Sequence, residues 1–208
     1  MSETVTRWWW IRHAPVTTDQ GCFYGQQDLP ADTTINADVY GALAAALPKN
    51  AIWVASHLQR THQTAQAIGA AGYPLPNIGY YEDLAEQHFG DWQGKPRAPV
   101  HKQYGSIHGF WMTLLDERPR NGESFRDLRS RVDNVVDHLS AEHRGGDIVA
   151  VAHGGTIRAA IARALDLPGR MALNFTIGNS SLTRLALIEG PDRSAYWNIT
   201  LLNGYGVS

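Results

Sequence analysis

The sequence predicts an α/β fold: a three-layer α/β/α sandwich with a mostly parallel central sheet and a partly helical insertion over the sheet's C-terminal edge. Two observations carry this expectation. Short, continuous apolar runs bounded by turn signals occur in "TRWWWIRHAP", "AIWVASH" and "DIVAVAHGG", and such runs suit strands buried on both faces, as in a parallel sheet. The second and third runs pass directly into helix-period patterns, and strand-then-helix units imply helices on both sides of the sheet.

The elements follow in order. "TRWWWIRHAP" is a strand closed by Arg12 and His13, with Trp8, Trp9 and Trp10 read as core packing rather than as a stacking platform for bases. "AIWVASHLQRTHQTAQAIGAAG" is a strand ending at Ser56 and His57, then a helix through Ala65 and Ile68 to Gly72. Ile78 to Glu82 is a further strand. Between Gly90 and Asn121 the pattern weakens at Pro96, Pro99 and Pro119, leaving an apolar patch at Phe110 to Leu115; an insertion with a short helix is expected there. "GESFRDLRSRVDNVVDHLSAEH" spaces Phe125, Leu128, Val132, Val135 and Leu139 by three and four, which builds one apolar stripe on a long helix. "DIVAVAHGGTIRAAIARALDLPG" is a strand ending in His153, a Gly-Gly turn, and a helix carrying Ile157, Ile161 and Leu165. Strands are also expected at Leu182 to Ile188 and around Tyr196 to Leu201, with "NGYGVS" as a frayed tail. No repeat, linker or low-complexity segment marks a second domain, so one domain over 1–208 with an insertion at 90–121 is expected.

Composition narrows the function classes. The 43% hydrophobic and 18% charged content is that of an ordinary soluble globular protein. A formal net charge of −2 argues against a dedicated nucleic-acid binder, whose footprint would be a strongly basic domain. The single cysteine, Cys22, cannot form an internal disulfide and belongs to no CxxC pair. The run Trp8 to Ile11 is too short for a signal-peptide core, and no stretch approaches the ~18 apolar residues of a membrane helix. A cytoplasmic monomer or homodimer is expected, without membrane or nucleic-acid partners.

In open α/β sheets the ligand sits beyond the carboxyl ends of the strands. That rule gathers Arg12 and His13 from the first strand, Ser56 and the nearby Arg60 from the second, and His153 with Gly154 from the third. Taken singly, a strand-end histidine is most simply a satisfied polar residue and a helical arginine a surface charge. Jointly they resist that reading, because burying several cations without an anion is costly. Two helix N-termini add free N–H groups and partial positive charge. Gly154 and Gly155 let the backbone approach a bound group, and guanidinium groups match phosphate oxygens bidentately. A phosphoryl group fits this set. A proton donor would come from Glu82, Asp83, Glu86 or Asp91, in "YYEDLAEQHFGDWQG". Spacing does not choose among them, though Glu86 lies past the strand end and before a glycine-containing turn.

These motifs, "IRHAP", "SHLQRTHQTA", "LAEQHFGDWQG" and "VAHGGTIRA", together resemble the histidine phosphatase superfamily, which includes the phosphoglycerate mutases; "NGESFRDLRSRV" also looks like a family block. The resemblance runs from about Trp10 to Leu185 and implies a metal-independent phosphomonoester hydrolase without a cofactor. It makes His13 the phosphorylated nucleophile and Glu86 the acid/base carboxylate, and it places Arg12, Arg60 and His153 around the phosphate. Ala14 and Pro15 depart from the family's usual Arg-His-Gly followed by Glu or Gln. "GCFYGQQDLP" looks like the branch that includes α-ribazole phosphatases, so α-ribazole 5'-phosphate is one candidate among small phosphomonoester substrates. The alternatives are a cofactor-dependent phosphoglycerate-type mutase, a non-catalytic phospho-ligand binding protein, and a metal-dependent hydrolase. The mutase branch usually carries a nearby asparagine and a longer chain, which are missing here.

Tyr24 and the 90–121 insertion are the candidates for leaving-group recognition, because loops over a strand end are where specificity is built. Asn179 and Ser180, at a turn before a strand, are further candidates to line the site. Arg158, one turn into the last long helix, is expected to form a salt bridge. His57, His62, His88, His101, His108, His138 and His143 are read as surface or rim polarity.

Overall fold

In the computed structural model, which describes residues 2–105, 111–112, 114–192 and 194–205, six strands form one sheet. They are β1 (Thr4–Arg12), β2 (Ile52–Ser56), β3 (Ile78–Tyr81), β4 (Asp147–Ala152), β5 (Leu182–Glu189) and β6 (Ala195–Gly204). Their order is β3-β2-β4-β1-β5-β6. The pairings among β1 to β4 are parallel, while β5 and β6 add antiparallel strands on one side. The helices named below are α1 (Asp38–Ala46), α2 (Gln59–Ala70), α3 (Arg97–Gln103), α4 (Phe125–Glu142) and α5 (Gly154–Ala164).

Strand β1 explains the three layers. Successive strand side chains point to opposite faces. Trp8 and Trp10 therefore enter one core with the stripes of α4 and α5, while Trp9 and Ile11 enter the other with α1 and α2. Trp8 and Trp10 stack with ring centroids 4.9 Å apart, and the Trp8 indole N–H donates to Ser140 Oγ at 2.9 Å. The tryptophan run is core, as expected. Helix α4 begins on a capping box in which Ser124 and Asp127 satisfy each other's backbone N–H groups.

Four local expectations are corrected. Helix α1 is missing from the expected elements, although Tyr40, Leu43, Ala44 and Leu47 recur at three-four spacing and form its buried face. Helix α2 stops at Ala70, and Gly72, at φ +106°, lies beyond it. Leu165 caps the end of α5 and is 42% exposed, so the stripe ends at Ile161. Asn203 and Gly204 belong to β6 rather than to a frayed tail, and Asn203 Oδ1 accepts the Gly178 N–H at 2.6 Å; residues 206–208 lie outside the described residues.

The segment after β3 reaches over the carboxyl end of the sheet. Its Gln93 and Pro96 form isolated bridges with Phe23 and Cys22. Phe23, Phe89, Val100 and Leu114 form a small apolar cluster flanked by Trp92, Tyr104 and Trp111. Helix α3 is the predicted short helix. Within the expected apolar patch, Phe110 and Thr113 lie outside the described residues, as does His108. Among the described residues no helix is long and apolar enough to cross a membrane.

Candidate active site

Parallel register brings the strand ends level: Arg12 pairs with Ala152, and Ala55 with Val151. One residue beyond, the His13 N–H donates to the Ala152 carbonyl at 2.9 Å, and the His13 and His153 rings lie 5.1 Å apart. Two residues separated by 140 positions thus share one corner because two buried strands are in register.

Hydrogen bonding fixes opposite tautomers. His13 Nδ1 lies 2.6 Å from the Ala14 carbonyl. A carbonyl only accepts, so Nδ1 carries the proton and Nε2 keeps its lone pair. Arg60 Nε donates to His153 Nδ1 at 3.2 Å. A guanidinium only donates, so His153 Nδ1 is the acceptor and its proton sits on Nε2. Burial, then the charges of Arg12 and Arg60, hold the His13 imidazole well below its ordinary pKa. Burial, then Arg60, does the same to His153. Both rings are neutral, because desolvation and neighbouring cations each disfavour imidazolium.

The arginines are held by backbone carbonyls. Besides its bond to His153, buried Arg60 donates to Gln27 O at 2.8 Å and to Gly25 O at 2.6 Å. Tyr24 lies over its guanidinium at 5.1 Å. Gly25 has φ +43°, and a Cβ there would stand 2.5 Å from Gln93 Oε1 and 2.7 Å from Gln87 O, so the turn requires glycine. Arg12 donates through Nη1 to Ile177 O at 2.5 Å. Its Nε and the Nε2 of His153 are buried donors with no partner among the described residues. Unpaired buried donors are costly, and an anion at this corner would satisfy both.

Of the four candidate carboxylates, Glu86 is the one brought to the start of α5. It accepts the Gly155 N–H at 3.0 and 3.2 Å and the Gln87 N–H at 2.9 Å. Asp91 instead faces Asn121 and Arg120, and Glu82 and Asp83 line a separate depression with His57 and His88. A cavity of about 190 Å³ is lined by Arg12, Tyr24, Gly25, Glu86, Gly154 and Arg158, with Phe23, Phe89, Arg97 and Trp111 completing its wall. His13, Arg60 and His153 are enclosed around that corner, at 0–1% exposure.

Several expected placements change. Ser56 is buried and its Oγ accepts the Leu58 N–H at 3.3 Å, which shapes the turn into α2 rather than the cavity. Asn179 is not among the cavity-lining residues; its side-chain amide donates to the His13 carbonyl at 2.9 Å and braces that backbone. Ser180 is buried and its N–H donates to Arg12 O at 3.0 Å. Arg158 forms no salt bridge among the described residues. Its Nε donates to Phe175 O at 2.7 Å, and the side chain lines the cavity. Its spacing from Gly154, four residues on and so on the same helix face, was the available signal. His62 stacks on Tyr80 at 4.0 Å, and His88 Nδ1 accepts the Gly90 N–H at 3.0 Å. No group of three or more His, Cys, Asp or Glu among the described residues is arranged to hold a metal ion.

The model of the histidine phosphatase superfamily (branch 1) matches residues 8–200. A glucosyl-3-phosphoglycerate phosphatase of Mycobacterium tuberculosis is 32% identical over 162 residues, covering 72% of this chain and 72% of its own. An adenosylcobalamin/alpha-ribazole phosphatase of Salmonella typhimurium is 26% identical over 136 residues, covering 65% and 66%. Among solved structures, a mycobacterial hydrolase superposes with a TM-score of 0.83 at 27% identity, over 99% of this chain and 93% of its own. The chain spans about half the length of other curated mycobacterial relatives that it matches at 28% identity.

Proposed function

The chain belongs to the histidine phosphatase superfamily, branch 1, and on that premise we propose that it hydrolyses a small phosphomonoester through a phosphohistidine on His13. The observation that carries the reading is the unprotonated Nε2 of a neutral, buried His13, set beside two unpaired buried donors. A nucleophile must offer a lone pair, and surrounding donors must meet the charge on the transferring oxygens.

In the first step His13 Nε2 attacks phosphorus in line. The N–P bond forms and the P–O bond to the leaving group breaks. Arg12, Arg60, His153 Nε2–H and the Gly154 end of α5 bear on the equatorial oxygens, with Arg158 as an added cation. Glu86, protonated, delivers its proton to the departing oxygen. In the second step Glu86 takes a proton from water as the water oxygen attacks phosphorus. The N–P bond breaks, its electron pair returns to Nε2, and inorganic phosphate leaves. No metal or cofactor takes part in this scheme.

The leaving group would occupy the outer cavity, where Tyr24, Phe23, Phe89 and Trp111 offer aromatic faces. α-Ribazole 5'-phosphate, glucosyl-3-phosphoglycerate and phosphoserine are the substrates that the relatives' names suggest for a panel. The test is turnover of nitrophenyl phosphate in chelator by wild type and His13→Ala, with acid-quenched trapping of the phosphoenzyme. Wild-type turnover and a trapped phosphoryl group, both lost in the variant, are expected. Equal turnover in both proteins, or loss in chelator alone, would overturn the mechanism.

A further inference from the structure

Arg131, on α4, lies outside the catalytic set, yet all of its donors are spent on the segment that carries Glu86 and on the Glu123 carboxylate beside it. Its Nη1 donates to Asp83 O and to Ala85 O, both at 2.8 Å. Its Nη2 donates to Glu86 O at 3.0 Å and to Glu123 Oε1 at 2.6 Å. Its Nε donates to Glu123 Oε2 at 3.2 Å. A guanidinium has five N–H groups in a fixed fork, and these five bonds use every one.

The partner carboxylate holds the same segment from the other side. Glu123 Oε1 also accepts the His88 N–H at 2.8 Å, and the Glu123 carbonyl accepts from Gln87 Nε2 at 2.9 Å. Residues 85–89 lie between two short 3₁₀ turns and belong to no helix or strand. Their backbone polar groups therefore need partners from elsewhere, and Glu123 and Arg131 supply many of them. The exposed fraction of each side chain is only 17%, so the pair sits in a partly desolvated place where geometry is well fixed.

We propose that Arg131, seated on Glu123, is the positioning residue that holds the Glu86 carboxyl in register with the leaving-group oxygen. The inference rests on the reading of Glu86 as the proton donor. It assigns a purpose to "NGESFRDLRSRV", which the phosphate chemistry leaves unused: one block both caps α4 and fixes the acid's loop. Lysine cannot replace arginine here, because an ammonium is a compact charge with three donors and no fork. Misplacement of a reacting group by about 1 Å costs ~100-fold in rate.

The experiment compares kcat and KM for wild type, Arg131→Lys, Glu86→Gln and the double variant, on nitrophenyl phosphate and on an alkyl phosphate. Lysine keeps the positive charge that Arg131 exerts on His153, so the substitution isolates the fork. Nitrophenolate hardly needs a proton, whereas an alkoxide does. Arg131→Lys should lower kcat on the alkyl phosphate by ~10–100-fold, lower it several-fold less on nitrophenyl phosphate, and leave KM within about threefold. Within the Glu86→Gln background it should cost almost nothing more, because the group it positions is gone. Equal losses on both substrates, or full additivity with Glu86→Gln, would overturn the inference. A Glu86→Gln variant without leaving-group dependence would instead overturn the acid reading itself. Glu123→Gln, which weakens the seat and leaves Arg131 in place, should show the same substrate pattern with a smaller loss. If Arg131→Lys fails to fold, a Glu123→Gln loss that does not depend on the leaving group overturns the inference.

Discussion

Gly155→Ala is a perturbation whose size can be worked from the geometry. Gly155 sits in the first turn of α5, and its N–H binds Glu86. A Cβ there would stand 2.3 Å from Glu86 Oε1 and 3.0 Å from Leu128 Cδ2. Real Cβ contacts are not that short, so the carboxylate must retreat by roughly 0.7–1 Å, and displacement on that scale costs ~100-fold in rate, or about 2.7 kcal/mol of barrier. Alanine is the better helix former by about 1 kcal/mol, which offsets the crowding of Leu128, so stability should change by less than about 1 kcal/mol. The assay is kcat on an alkyl phosphate and on nitrophenyl phosphate, with a thermal melt on the same samples. A fall of ~100-fold on the alkyl ester, a much smaller fall on the nitrophenyl ester, and an unmoved melt are expected. Equal falls on both, or no fall, would refute the placement of Glu86 as proton donor.

Three more outcomes follow from the same geometry. Since His13 and His153 stay neutral when folded but take protons below about pH 6.5 when unfolded, stability should fall with acidification below that pH, by up to about 2.7 kcal/mol per pH unit for the two together. Denaturant melts from pH 7 to 5 check this, and a flat profile would mean that the rings ionise in place. Ser140→Ala removes the partner of the buried Trp8 N–H and should cost about 1–3 kcal/mol in the same melts without altering kcat; an unchanged melt would show that the bond contributes nothing. Arg158→Gln should lower kcat/KM by ~10–100-fold on small phosphomonoesters, the worth of about 1.5–3 kcal/mol of charged hydrogen bonding; no loss would place Arg158 outside the anion site.

Much of the fold is legible in the sequence. The runs in "RWWWIRHAP", "AIWVASH" and "DIVAVAHGG" are short, apolar on both faces and bounded by turn signals, which suits a doubly covered strand. Their polar ends fall together once the strands are parallel. Helix α1 carried a fainter signal, because Tyr40, Leu43 and Leu47 keep three-four spacing in an alanine-rich segment with little polar contrast. The candidate site divides in the same way. Arg12, His13, Arg60 and His153 could be gathered by the strand-end rule alone. The choice of Glu86 over Glu82, Asp83 and Asp91 could not, because it depends on which carboxyl meets the Gly155 N–H across 69 positions.

The sequence by itself therefore determined the layered sheet, the basic corner at its carboxyl end and the residue types available there. Tertiary structure decided how those groups are set against one another. The tautomer of His153, the turn of Arg158 into the cavity, the bracing of His13 by Asn179 and the grip of Arg131 on the Glu86 loop all depend on partners distant in sequence. Periodicity and spacing report how a segment meets water and the core. Hydrogen-bond donors and acceptors find their partners only when the chain has closed around them.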